Sequence, residues 1–173
     1  RLIRRQRQMC IRDRRGTALS EGIGEKLTRL PSMPQCQVLI AKPGISVSTK
    51  TVYEMLDART LRPEDHPDID GMVEAIRKRD LYEVAGRFGN VLELVTAGRY
   101  PVIGQIEELM KEYGAINAMM SGSGPTVFGL FSNPSSARKA YEALRYGEGI
   151  DLAKQVYLTN FYNMNQGAAG RLR

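Results

Sequence analysis

The chain has 173 residues, of which 42% are hydrophobic, and a formal net charge of +6. This length and composition predict one folded domain with a hydrophobic core, and they argue against a chain that is disordered throughout. The positive charge is no sign of a nucleic-acid-binding protein, because seven arginines lie within residues 1–15. Without those arginines and Asp13, the totals of 25 basic and 19 acidic residues fall to 18 of each, so residues 16–173 are neutral overall.

Residues 1–15 show neither helical nor strand periodicity. They also lack the apolar run of seven or more residues that a secretory signal contains. A basic arm for nucleic acid is one interpretation. The run Met-Cys-Ile-Arg-Asp-Arg at 9–14 also resembles translated sequencing-adapter sequence. We favour an adapter artefact or a disordered segment, and then nothing follows from its charge.

The next elements in the chain are short and extended. Residues 16–27 predict two extended pieces around a turn at Gly22 and Gly24. Residues 31–34 form a proline-bounded connector, and the apolar run 37–41 predicts a short strand in the centre of a sheet.

A helix is predicted to begin within a residue or two of Thr49. Ser48 or Thr49 is a plausible N-cap, and Thr51 with Glu54 also fits the capping-box spacing. Tyr53 then lies in or just after the first turn, near a helix N-terminus whose free N–H groups suit a phosphate. The alternative is that Thr49 only caps the helix and Tyr53 only packs against it.

Several helices are predicted after a polar loop that contains His66. Residues 68–78 and 81–88 carry apolar side chains at helical spacing, whereas 90–96 is ambiguous between helix and irregular structure. Pro101 predicts the first residue of another helix, and Gly114 its end.

The stretch 115–131 is the most informative of the chain. An apolar run and a β-rich run flank the turn Ser-Gly-Ser-Gly-Pro at 121–125, which predicts a hairpin whose tip is mostly bare backbone. Gly122 and Gly124 permit positive φ angles and a close approach to the amides. Successive N–H groups in such a turn can form a concave anion site. An ordinary glycine-rich hairpin without a ligand is the alternative.

After the hairpin, Asn133 predicts the N-cap of a helix over 135–144, and 155–159 predicts a last strand. This order of elements predicts an α+β fold, a two-layer sandwich with a mostly antiparallel sheet. Cys10 and Cys36 indicate no disulfide framework, and no membrane span is predicted, so we expect a cytoplasmic protein. Since His66 is the only histidine, no metal site is expected.

Three motifs then suggest a family. Residues 120–129, Met-Ser-Gly-Ser-Gly-Pro-Thr-Val-Phe-Gly, resemble the third, glycine-rich motif of the GHMP small-molecule kinases. Residues 15–25 and 41–49, together with Tyr53, more narrowly resemble the 4-diphosphocytidyl-2-C-methyl-D-erythritol kinases of the non-mevalonate isoprenoid pathway. The resemblance runs in register from residue 15 to residue 161.

The resemblance implies phosphorylation of a hydroxyl on the methylerythritol unit by ATP with Mg²⁺. It implies a small-molecule substrate linked to cytidine diphosphate, with neither nucleic acid nor a membrane as a partner, and leaves the oligomeric state open. Tyr53 would stack on the cytosine, and Thr49 would hydrogen-bond near the same ring. The residues that would lie under the phosphates are Ser121, Gly122, Ser123 and Gly124.

The family has two domains, and the second is ferredoxin-like. We therefore expect a remnant of the first domain at 16–34, the C-terminal domain at 35–162 and a disordered tail at 163–173. The ATP loop and the catalytic Lys and Asp belong to the first domain. The Asp would fall near Gln8, and Asp13 is at the wrong spacing, so the chain alone is expected to be inactive.

Two alternatives remain. Another GHMP kinase, acting on homoserine or mevalonate, is disfavoured by Tyr53 and residues 42–49. A non-enzymatic basic binding module requires the arginines of residues 1–15 to be genuine.

Overall fold

The computed structural model describes residues 16–22, 24, 26–56 and 61–161. The predictions made for residues 1–15 and 163–173 lie outside the described residues. The strands are β1 (Ala18–Glu21), β2 (Lys26–Arg29), β3 (Gln37–Lys42), β4 (Asn117–Met120), β5 (Val127–Phe131) and β6 (Gln155–Asn160). The helices are α1 (Thr49–Met55), α2 (Ile69–Lys78), α3 (Leu81–Gly86), α4 (Val91–Arg99), α5 (Val102–Glu112) and α6 (Pro134–Tyr146), with a 3₁₀ turn at Pro63–Asp65.

Four strands form the main sheet, in the order β4-β5-β3-β6, and every neighbouring pair is antiparallel. Taken with the helices between them, the strands follow the β-α-β-β-α-β path of a ferredoxin-like domain. The α+β fold class, the ferredoxin-like topology and the central position of β3 are thus confirmed. Val127 lies opposite Met120 on one side and Ala41 on the other, so the glycine-rich hairpin is paired directly to the central strand.

The core alternates across the sheet, as strand geometry requires. On one face, Leu39 and Ala41 join the largest cluster of buried side chains, which includes Ile106 of α5 and Leu144 of α6. On the other face, Val38 and Leu130 belong to a smaller cluster with Leu81 and Ala85 of α3. Helices α5 and α6 therefore form the main second layer, and α3 covers part of the opposite face.

The structure refines the predicted helices at their ends. Pro101 is the N-cap of α5 rather than its first residue. The ambiguous segment 90–96 is helical, because Asn90 caps α4 by accepting a hydrogen bond from the N–H of Leu92. Ser48 caps α1, and Asn133 caps α6 as expected.

The first hairpin stands apart from the main sheet. Strands β1 and β2 are the two extended pieces predicted for 16–27, although β2 continues to Arg29, and among the described strands they pair only with each other. The connector that follows, taken here with Leu30 as residues 30–34, packs against the domain core. Leu30 and the buried Met33 contact the cluster of Ile76 and Val84. None of the helices within the described ranges is long and apolar enough to cross a membrane.

Candidate functional site

The turn between β4 and β5, which we call the glycine-rich loop (residues 121–126), is closed by its own backbone. The N–H of Ser121 donates to the carbonyl of Thr126 at 2.8 Å, and the N–H of Gly124 donates to the carbonyl of Ser121 at 3.0 Å. Gly122 and Gly124 have φ angles of 58° and 80°, as the sequence suggested for these glycines. Within the described part of the chain, the N–H groups of Gly122 and Ser123 have no acceptor. Two successive amides are therefore open to an outside acceptor.

Side chains of α4 hold this loop from below. The Asn90 side-chain amide donates to the carbonyls of Met120 and Gly122, each at 2.9 Å. The hydroxyl of Thr96, which is buried, donates to the carbonyl of Leu92 and lies 3.5 Å from that of Ser123. These contacts direct the carbonyls of Gly122 and Ser123 towards α4, while the N–H groups of the same two residues stay without an acceptor among the described residues.

Thr49 reaches the same loop from α1. Because Ser48 caps this helix, the Thr49 hydroxyl is available for another partner, and its Oγ1 lies 2.9 Å from the Oγ of Ser123. The structure thus joins two residues that the sequence separates by 74 positions. Ser121 and Gly122, which enter the loop, are exposed.

Tyr53 lies one helical turn beyond Thr49. Its side chain is 60% exposed, and the buried residue of α1 is its neighbour Val52. The helix packs against α4, and Thr49 in its first turn contacts the glycine-rich loop. An exposed aromatic ring can offer a stacking surface to a planar ligand.

Two carboxylates lie behind the end of β4, and sequence reasoning missed both. Glu93 of α4 accepts the N–H of Met120 at 2.9 Å, and burial raises its pKa. Glu107 of α5 is only 8% exposed, and burial, followed by the charge of Glu93, raises its pKa to about 7. A glutamate on the apolar face of a helix, between Ile103 and Met110, was the available signal for Glu107. Asn90 and Glu93 were hidden in the ambiguous segment, although Asn with Glu three residues later is typical of a helix N-terminus.

His66 follows the 3₁₀ turn at Pro63–Asp65. Across 16–56 and 61–161, apart from Ile23 and Glu25, no group of three His, Cys, Asp or Glu side chains could hold a metal ion. Cys36 is buried, which raises the pKa of its thiol to about 11.

Comparison with known proteins identifies the domain that contains the loop. Residues 72–148 match the family model described as GHMP kinases C terminal. A 4-diphosphocytidyl-2-C-methyl-D-erythritol kinase of Lachnospira eligens is 58% identical over 149 residues, covering 86% of this chain and 50% of that protein. The kinase of the same name from Lachnoclostridium phytofermentans is 52% identical over 150 residues, covering 86% of this chain and 49% of that protein.

Solved structures of kinases are also similar to this chain. A crystal structure of 4-(cytidine 5'-diphospho)-2C-methyl-D-erythritol kinase is 28% identical, with a TM-score of 0.61, and the match covers 84% of this chain and 50% of that one. A homoserine kinase of Cytophaga hutchinsonii has a TM-score of 0.67 at 19% identity, over 85% of this chain and 48% of that one, and so supports the fold alone.

The chain spans about half the length of the curated relatives it matches. The matched domain model and these relatives together identify the domain. The chain contains the C-terminal domain of the GHMP kinases.

Proposed function

We propose that this chain is the C-terminal part of a kinase that transfers a phosphoryl group from ATP to 4-diphosphocytidyl-2-C-methyl-D-erythritol. The observation that carries the proposal is the 58% identity to a kinase of that name over 86% of the chain. The loop and α1 support it, because α1 carries an exposed aromatic ring and contacts, through Thr49, a loop with open backbone amides.

Phosphoryl transfer depends on positioning and on stabilising negative charge, with little covalent help from the protein. In this proposal the open N–H groups of Gly122 and Ser123 face phosphate oxygens, and Gly124 and Ser121 keep the turn closed. Anion binding by successive amides of a turn needs no charged side chain. The role of these residues is therefore to support the phosphates, and none of them is the base.

We assign the binding of the cytosine ring of the acceptor substrate to α1. Tyr53 stacks on the cytosine ring, a contact worth roughly 1–3 kcal/mol by analogy with base–aromatic stacking. Thr49 hydrogen-bonds near the same ring, and its bond to Ser123 couples the cytosine side of the site to the phosphate side. ATP is a substrate of this reaction and brings Mg²⁺ on its phosphates. The described residues offer no cluster of metal ligands, so we assign the ion to none of them.

The test is a substrate comparison with the full-length protein that carries this segment. Purified enzyme is assayed for ADP release with ATP, Mg²⁺ and one of three alcohols: the cytidine-linked methylerythritol, homoserine or mevalonate. We expect turnover with the first and only background with the others. Turnover with homoserine or mevalonate would instead establish a different GHMP kinase.

A further inference from the structure

Beneath the glycine-rich loop lies a group of polar side chains to which the proposed function gives no role. Asn90 links the start of the loop to the start of α4. Its amide donates to the carbonyls of Met120 and Gly122, while its Oδ1 accepts the N–H of Leu92 at the start of the helix. One side chain therefore fixes the direction of the loop backbone relative to a helix that is packed into the core.

Two carboxylates converge on the residue that enters the loop. Glu93 accepts the N–H of Met120, and the carboxylate of Glu107, from the neighbouring helix, faces the same N–H group. The Oε1 of Glu107 is buried and has no hydrogen-bond partner among the described residues. A buried charged oxygen without a partner is unfavourable, whereas a neutral carboxylic acid in the same place costs much less.

The other charged groups around the pair do not balance two negative charges. Lys111, on α5, is the cation that faces both carboxylates, and it is exposed; Glu108, also exposed, adds a further negative charge to Glu107. From β4 only the backbone N–H of Met120 faces the pair. Burial raises the pKa of both glutamates, that of Glu107 to about 7, so Glu107 takes up a proton as the pH falls through neutrality.

We propose that Asn90, Glu93 and Glu107 are positioning residues for the glycine-rich loop. Asn90 directs the open amides of Gly122 and Ser123 outward, and Glu93 and Glu107 fix Met120 while Glu107 carries a proton. The proton matters because a second negative charge beneath the loop would oppose the binding of phosphates to those amides. This inference rests on the proposed function for its ligand, although the positioning of the loop is measurable without one.

The experiment uses the 173-residue chain, its ¹H–¹⁵N amide resonances and inorganic pyrophosphate as the probe. Between pH 5.5 and 8.5, the resonances of Gly122 and Ser123 are expected to follow a single titration with a midpoint near pH 7. Pyrophosphate itself loses a proton in this range, so the affinity at each pH is compared with that of Glu107→Gln. Relative to that variant, the affinity of the wild type should fall by about tenfold or more, as one added unit charge nearby implies at an effective dielectric constant of about 20.

Isosteric variants separate positioning from simple structural support. Glu107→Gln keeps the shape of the side chain without an ionisable group, so the loop titration should disappear and the affinity should keep only the pH dependence of pyrophosphate itself. Glu108→Gln removes an exposed charge from the adjacent position and is the matched control. Its loop should still titrate, with a midpoint only slightly lower than in the wild type, because the charge of Glu108 raises the pKa of Glu107 less than burial and Glu93 do. Glu93→Gln removes the charge that disfavours ionisation of Glu107, so the midpoint should move to lower pH.

Asn90→Asp and Asn90→Ala test the hydrogen bonds from Asn90 to the carbonyls of Met120 and Gly122. Aspartate can still cap α4, but it cannot donate to the loop carbonyls, so both variants should lose pyrophosphate affinity at every pH while only alanine loses the cap. An unchanged titration in Glu107→Gln, or wild-type affinity in Asn90→Asp, would overturn the inference. If no variant and no wild type binds pyrophosphate but the pH-dependent loop shifts persist, the positioning role stands and the phosphate role in the proposed function fails.

Discussion

At the scale of single residues, Tyr53 offers the sharpest test of the substrate assignment. In the full-length enzyme, Tyr53→Ala should remove a stacking contact of roughly 1–3 kcal/mol and raise KM for the cytidine substrate by about five- to more than a hundredfold. Because stacking is similar in the ground state and the transition state, kcat should change little. Steady-state kinetics measures both constants.

The control for this prediction is Tyr53→Phe, which keeps the ring and should behave almost like the wild type. The 60% exposure of Tyr53 also predicts that neither variant lowers the melting temperature appreciably. If the alanine variant melts early but binds substrate normally, Tyr53 packs the helix and the cytosine role is wrong.

Glu107 makes a prediction about stability that needs no substrate. Its pKa is about 7 in the folded chain against an ordinary value of 4.5, so the folded state prefers the protonated acid. The stabilisation is fully present below about pH 4.5 and is lost as pH rises through about 7. Between pH 5 and pH 8, the free energy of unfolding should therefore fall by about 2 to 3 kcal/mol more in the wild type than in Glu107→Gln.

Urea denaturation at the two pH values checks this prediction. Glu108→Gln is the control, because it removes a negative charge one residue away that is exposed. A wild type and a Glu107→Gln variant with the same pH dependence would show that the carboxyl is ionised in the fold as it is in water.

At the scale of elements, sequence patterns predicted those parts of the fold that depend on local spacing. The strands at β3 and β5 and the caps at Ser48 and Asn133 follow from residues that are close in the chain. Helix α4 was ambiguous because Val91, Leu92, Leu94 and Val95 are consecutive or nearly so, and they match neither a helical nor a strand period well. The structure shows that the segment is a helix that begins after its N-cap Asn90, whose side-chain amide also binds the carbonyl of Met120 before the loop.

In the candidate site, too, local features were predictable from the sequence and contacts between distant residues were not. The glycines of the loop and the start of α1 were predictable, since both are local signals. The bond between Thr49 and Ser123, and the convergence of Glu93 and Glu107 on Met120, join elements that are distant in sequence. No periodicity encodes such contacts, because they follow from how α1, α4 and α5 pack around the sheet.

The two loop glycines provide a matched pair of substitutions. Both have positive φ, so alanine at either position should cost about 1–2 kcal/mol in backbone conformation. At Gly122 a Cβ atom would meet open space, whereas at Gly124 it would lie 2.5 Å from the sulfur of Met120. Met120 is fully buried and cannot easily yield, so Gly124→Ala should cost about 1–3 kcal/mol more than Gly122→Ala. Denaturant unfolding of both variants measures the difference, and equal losses would show that Met120 repacks freely.

At the scale of the whole molecule, the described chain is an α+β core with a separate hairpin before it. The hairpin β1–β2 forms its own sheet, but the connector behind it belongs to the core through Leu30 and Met33. The boundary predicted between residues 34 and 35 followed the prolines of the connector. Side-chain packing, which no proline signal reports, ties the connector to α2 and α3.

Two truncations test where the stable unit begins. A chain that starts at Leu30 lacks the hairpin but keeps the connector, so its free energy of unfolding should stay within about 1 kcal/mol of the whole chain, because it loses no core contact of Leu30 or Met33. A chain that starts at Gln35 also loses the buried Met33 and the half-buried Leu30, and it should be less stable by about 2–4 kcal/mol. Urea unfolding of the two chains shows whether the hairpin or the connector contributes more to the free energy of unfolding. If removing residues 1–29 costs as much as removing residues 1–34, the hairpin supports the domain and the packing of Met33 contributes little.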